Sequence, residues 1–268
     1  MRPMRTFSHQ RVTLITLAVV VLTGLEGDAQ SRTARTIRLQ SDAIGGQAVA
    51  AVLLPVEYDS STARYPVVYL LHGGTQNHTA FPARHWFTAD ASARHMIVVM
   101  PYLQPLFFSP RGGTSAPFEE FLGRDLPAYI DTHYRTITEP RGRAIAGISM
   151  GGYGATIMGL KRPDMFGAVG AISAALGTGA RPGDIATLLP ALSVDRAPYF
   201  YVACGLADSV LPSSRELAAR LREQKIAVDL HEVPGGHGWE VWDPQVRAFF
   251  DALSKRPGWA PQNDTQRQ

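Results

Sequence analysis

Apolar residues in this chain fall into short continuous runs, separated by longer stretches whose apolar positions recur at helical spacing. The runs are residues 67–71, 96–100, 143–147, 168–173, 199–204 and 227–233. Runs of this length suit parallel strands buried on both faces. Ahead of them, residues 36–40 and 47–54 are β-like and flank Gly45-Gly46, a pattern that predicts an antiparallel hairpin. Phe118, Phe121, Leu122, Leu126, Tyr129 and Ile130 form one apolar stripe, predicting a helix over residues 118–133. Further helices are expected over 150–161, ended before Pro163, over 213–224, headed by Pro212 with Glu216 early, and over 239–253. From Arg256 onward the chain turns polar and is expected to fray. Strands alternating with helices predict an α/β fold: a mostly parallel central sheet with an N-terminal antiparallel hairpin and helices on both faces.

The first residues follow another logic. Arg2, Arg5 and Arg11 precede an apolar stretch from Val12 to Leu25 interrupted only by Thr and Gly, and small residues follow at Gly27 and Ala29. A basic start, a short apolar run and a small-x-small site predict a secretory signal peptide over 1–29, cleaved after Ala29. The run would extend only ~21 Å as a helix, short of a ~30 Å hydrocarbon core, so no stable membrane insertion is expected after cleavage. The expected organisation is a signal peptide (1–29), one domain (30–255) and a flexible tail (256–268). A secreted or periplasmic location follows.

Composition narrows the function. Across 268 residues, 26 Lys and Arg face 23 Asp and Glu, and removing residues 1–29 takes away three arginines and two acids. The remaining basic residues are scattered and not interleaved with aromatics, which argues against a nucleic-acid partner. One cysteine excludes a disulfide framework and a Cys-rich metal site. Cys204 lies in an apolar run and is expected to be buried and inert.

Gly147-Ile148-Ser149-Met150-Gly151 is a G-x-S-x-G pattern between a predicted strand and a predicted helix. That context is the nucleophile elbow of an α/β-hydrolase, where a sharp turn exposes the serine hydroxyl. A serine hydroxyl needs a base, and only His231 and His237 follow Ser149. His231 lies within a strand; His237 lies in the Gly-rich loop beyond it and is the expected base. The base needs a carboxylate to fix its tautomer. Asp208 follows the strand 199–204 through Gly205-Leu206-Ala207, whereas Asp184 and Asp195 precede it and Asp229 and Glu232 lie in the next strand. Asp208 is the expected acid. For a developing oxyanion the expected donors are the amides of Met150, at the head of the helix, and of Gly74, preferred over Gly73, in the loop Leu71-His72-Gly73-Gly74-Thr75. His72 is expected to brace that loop. No metal or other cofactor is called for.

Together these residues resemble the esterase D family, which includes S-formylglutathione hydrolases, feruloyl and acetyl-xylan esterases, and mycolyltransferases. The resemblance runs from about Arg38 to Leu253. It is carried by Tyr69-Leu70-Leu71-His72-Gly73-Gly74, the segment from Phe118 to Asp131, Ala146-Gly147-Ile148-Ser149-Met150-Gly151-Gly152, and Pro234-Gly235-Gly236-His237-Gly238-Trp239-Glu240-Val241-Trp242. It implies a nucleophile at Ser149, an acid at Asp208, a base at His237, and oxyanion donors at Gly74 and Met150. The implied activity is hydrolysis of a small-molecule or carbohydrate ester, of carbohydrates or phenolic acids, through an acyl-enzyme on Ser149. Transfer of the acyl group to a sugar and a non-catalytic binding role are the alternatives. Cytosolic formylglutathione hydrolases lack a signal peptide, which disfavours that member activity. The segments 103–117 and 173–196 are expected to wall the pocket, with Phe107, Phe108 and Trp239 as candidate apolar surface.

Overall fold

A computed structural model of the protein describes residues 33–103, 115–176 and 182–263. Eight strands form one sheet: β1 (Arg35–Ser41), β2 (Gly46–Leu53), β3 (Val67–Leu71), β4 (Ile97–Pro101), β5 (Arg143–Ile148), β6 (Ala168–Ile172), β7 (Tyr199–Gly205) and β8 (Val228–Val233). Their order across the sheet is β1-β2-β4-β3-β5-β6-β7-β8. The β1–β2 hairpin joins the rest through an antiparallel β2–β4 pairing, and every later neighbour is parallel. In β3 all five residues are buried, with Val67, Tyr69 and Leu71 facing one core and Val68 and Leu70 the other. A strand without a polar face can be satisfied only by helices on both sides of the sheet.

Those helices are α1 (Phe87–Ser92), α2 (Ala116–Glu120), α3 (Leu126–His133), α4 (Met150–Lys161), α5 (Pro182–Leu188), α6 (Leu211–Glu223) and α7 (Trp239–Ser254). The short α1 and α5 were not expected from the pattern. The helix predicted over 118–133 starts earlier, capped by the Ser115 hydroxyl accepting from the Phe118 amide, and a π-turn (Phe121–Asp125) separates α2 from α3. Pro127 explains the interruption. It has no N–H to give the Gly123 carbonyl four residues back, and that carbonyl instead accepts from Arg162 at 2.7 Å. The third predicted helix begins two residues early as α6, because Pro212 fits within a first helical turn.

Two expectations are corrected. Residues 227–233 were expected to be a buried strand, but β8 is the sheet edge and its residues are half-buried or exposed. Its polar side chains are taken up locally, Asp229 by the Tyr199 hydroxyl and Glu232 by Arg215. The segment after Arg256 was expected to fray; up to residue 263 it is instead held. Trp259 is buried, and Gln262 exchanges two backbone hydrogen bonds of 2.9 Å with Arg64. Among the described residues, no helix is long and apolar enough to cross a membrane.

Candidate active site

The strand-to-helix junction at Ser149 is built by absence of side chains. A Cβ on Gly151 would lie 2.3 Å from the Leu71 carbonyl oxygen, and one on Gly147 would lie 2.4 Å from the Gly151 backbone. Only glycine lets α4 close onto β3 and β5 at this angle. The closure forces Ser149 to φ 52°, ψ −117°, outside the ordinary helical and extended regions. Such a conformation costs about 1–3 kcal/mol and persists only where surroundings over-determine it. Here the Ser149 amide donates to Ile172, and its carbonyl accepts from Tyr153 and Ala175, at 3.0–3.1 Å.

Asp208 and His237 lie beyond β7 and β8, in loops locked to each other. The amides of Leu206 and Ala207 donate to the Val233 and Gly235 carbonyls at 2.8 and 2.9 Å, and a Cβ on Gly205 would collide with the Gly235 carbonyl. The Asp208 side chain is fully buried. One carboxylate oxygen accepts from the Val210 amide at 3.1 Å and the other from His237 Nδ1 at 2.8 Å. A carboxylate only accepts, so the imidazole proton sits on Nδ1, and Nε2 is left as an acceptor. That acceptor is 2.8 Å from Ser149 Oγ. Trp242 packs perpendicular to the imidazole, 5.1 Å between ring centres, and helps hold it in place. The structure thus brings together Ser149, His237 and Asp208, whereas His231 stacks on Tyr201 along β8.

The loop carrying Gly74 packs against the Met150 side chain. A Cβ on Gly74 would sit 3.7 Å from the Met150 sulfur. Met150 opens α4, where the first amides have no partner within the helix. Gln76, a residue that sequence reasoning passed over, sets Gly73 apart from Gly74. Its side-chain carbonyl accepts from the Gly73 amide at 3.0 Å, which leaves Gly74 as the donor without an acceptor among the described residues. Nothing in the sequence marks Gln76 beyond its position in a polar turn. His72 braces the same loop. Its Nδ1 donates to the Gly73 carbonyl at 2.7 Å and its Nε2 accepts from the Leu103 amide at 3.2 Å. Burial holds His72 below the usual histidine range, so it stays neutral in this structural role.

Trp239 packs edge-on against Phe81 and Trp242, with the Arg84 guanidinium 4.7 Å above its ring. Arg84 is held in turn by a two-pronged ion pair with Asp243. Trp239, Arg84 and the turn from Gln76 to Ala80 line a cavity of about 310 Å³. Phe107, Phe108 and most of the first predicted pocket wall lie outside the described residues. Cys204 is buried, and burial pushes its thiol up to about 11. Among the described residues no cluster of three His, Cys, Asp or Glu side chains has the arrangement to hold a metal.

Residues 41–191 match the family model described as a putative esterase, more than half of the chain. The chain belongs to this esterase family. It is 35% identical over 147 residues to an endo-1,4-beta-xylanase/feruloyl esterase of Xylanibacter ruminicola, a match covering 50% of this chain and 20% of that protein. It is 24% identical over 229 residues to an acetyl esterase of Caldicellulosiruptor saccharolyticus, covering 74% of this chain and 86% of the other. Among solved structures it is similar to a ferulic acid esterase, with a TM-score of 0.72, 26% identity, and coverage of 83% of this chain and 98% of that one. The match thus spans only about a fifth of the length of the bifunctional xylanase relative. The esterase fold here is that of the α/β-hydrolases: a mostly parallel eight-stranded sheet entered by an antiparallel hairpin.

Proposed function

We propose that this esterase-family chain is an exported serine carboxylesterase acting on acyl groups esterified to carbohydrate, including acetyl or feruloyl groups. The observation that carries the reading is the unbroken chain from Ser149 Oγ through His237 to Asp208, 2.8 Å at each link. In this mechanism His237 Nε2 takes the Ser149 proton as Oγ attacks the ester carbonyl, and the negative oxygen is received by the amides of Gly74 and Met150. Each such donor is worth about 3 kcal/mol in the transition state. His237 returns its proton to the departing alcohol, leaving an acyl group on Ser149. It then deprotonates a water molecule, whose attack frees the acid and restores the serine. Asp208 stays ionised throughout and stabilises the imidazolium. The acyl types are proposed on the strength of the relatives' names, and export on the strength of the predicted signal segment.

Replacing Ser149 by Ala is expected to lower kcat on 4-nitrophenyl acetate by about 10⁴-fold or more while the melting temperature is retained. Wild-type protein should also be labelled by a fluorophosphonate at Ser149. Turnover by the variant near the wild-type rate, or absence of labelling in the wild type, would remove the proposal.

A further inference from the structure

The turn that follows Gly74 has a second face. A cavity of about 470 Å³ opens between Thr36 and Arg38 of β1, the turn from Thr75 to His78, and Tyr102 after β4. Its size falls within the ~300–1,000 Å³ of small-molecule sites. Its lining surface is polar and apolar in about equal parts and includes one arginine and one histidine, with no Asp or Glu. The Arg38 side chain is exposed and has no ion pair or hydrogen bond among the described residues. Arg84, Arg94, Arg124, Arg143 and Arg215, by contrast, each meet a carboxylate.

The neighbouring side chains reinforce the picture. Tyr102 is 38% exposed, stacked on His72 and met edge-on by His78. His78 has a buried Nδ1 without a hydrogen-bond partner among the described residues. Burial first, and then the charge of Arg38, hold His78 below the usual histidine range, which leaves Arg38 as the charge of this wall. Thr75 directly follows Gly74, and Gln76 binds the Gly73 amide, so this wall and the candidate oxyanion donor belong to one braced turn.

We infer that this cavity is a subsite for a carboxylate carried by the alcohol part of the ester, such as that of a uronic acid, with Arg38 as its counter-ion. The inference rests on the esterase reading, because the cavity is tied to the candidate oxyanion donor Gly74 through the turn that begins at Thr75. A planar guanidinium matches a carboxylate with two parallel hydrogen bonds. The Thr36, Thr75, Gln76 and Asn77 side chains supply the donors and acceptors that sugar hydroxyls need, and Tyr102 offers a ring face.

The test compares O-acetylated glucuronic acid with O-acetylated glucose, which share the scissile bond and differ in charge. Wild-type kcat/KM is expected to favour the acidic ester by about tenfold at low salt, chiefly through KM, with the preference fading as salt rises. In Arg38→Ala the ratio should fall to near one, and Arg38→Lys should restore part of it. Independently of turnover, free glucuronate should bind Ser149→Ala protein by ligand-detected NMR, glucose should bind more weakly, and adding Arg38→Ala should abolish the difference. Equal kcat/KM for the two esters, or a preference that survives Arg38→Ala, overturns the inference while the esterase reading stands. Arg38-dependent glucuronate binding by a wild-type protein that cleaves no ester would instead sink the esterase reading and with it the ester subsite, leaving only a carboxylate site at Arg38.

Discussion

The decisive residue-scale feature is a tautomer. Asp208 fixes the proton on His237 Nδ1, and only then does Nε2 face Ser149 as an acceptor. Asn at 208 would keep the oxygen that accepts from the Val210 amide but present an NH₂ toward Nδ1. The imidazole would then carry its proton on Nε2, where it cannot take one from serine. Asp208→Asn should therefore lower kcat by about 10⁴-fold with little change in melting temperature; kcat within tenfold of wild type would refute the role. Ser149, His237 and Asp208 were legible from residue types and chain order alone. Gln76 was not, because nothing in a polar turn announces which side chain folds back onto a glycine amide.

Among elements, the junction of hairpin and π-turn is the most informative. Asp125, in the π-turn, accepts from the Ser41 hydroxyl at 2.5 Å and the Ala43 amide at 3.0 Å, tying the β1–β2 hairpin to the helical layer. Burial alone would raise its carboxyl, but hydrogen bonds from Arg124, Ser41 and Ala43 overcome this and hold it at about 2. A carboxyl depressed in the folded state stabilises the fold above its unfolded value near ~3.9, and that contribution is lost as pH falls toward 2. Asp125→Asn should cost about 2 kcal/mol at neutral pH, with the gap to wild type closing between pH 4 and 2 in urea unfolding. A gap independent of pH would show that the charge is not what matters. The apolar stripe correctly located this helical region. The π-turn escaped, because its cause is Pro127 together with an arginine, Arg162, that only the fold brings near.

For the whole molecule, the first described strand, β1, begins at Arg35, so cleavage after Ala29 would leave every described strand and helix intact. Protein recovered from the periplasm or medium of an expressing bacterium should begin at Gln30 by mass spectrometry. Recovery only of full-length cytoplasmic chain would refute export. The strand runs, the helix periodicities and the G-x-S-x-G context were enough to derive an α/β sheet with a serine at a strand-to-helix turn, since these depend on local spacing and on which residues tolerate a sharp turn. They could not tell that residues 227–233 form the edge, that Trp259 folds back into the core, or that Arg38 stands over a cavity beside Gly74. Those depend on which surfaces meet across long separations in the chain. Packing of distant segments sets such contacts, and no local pattern encodes them.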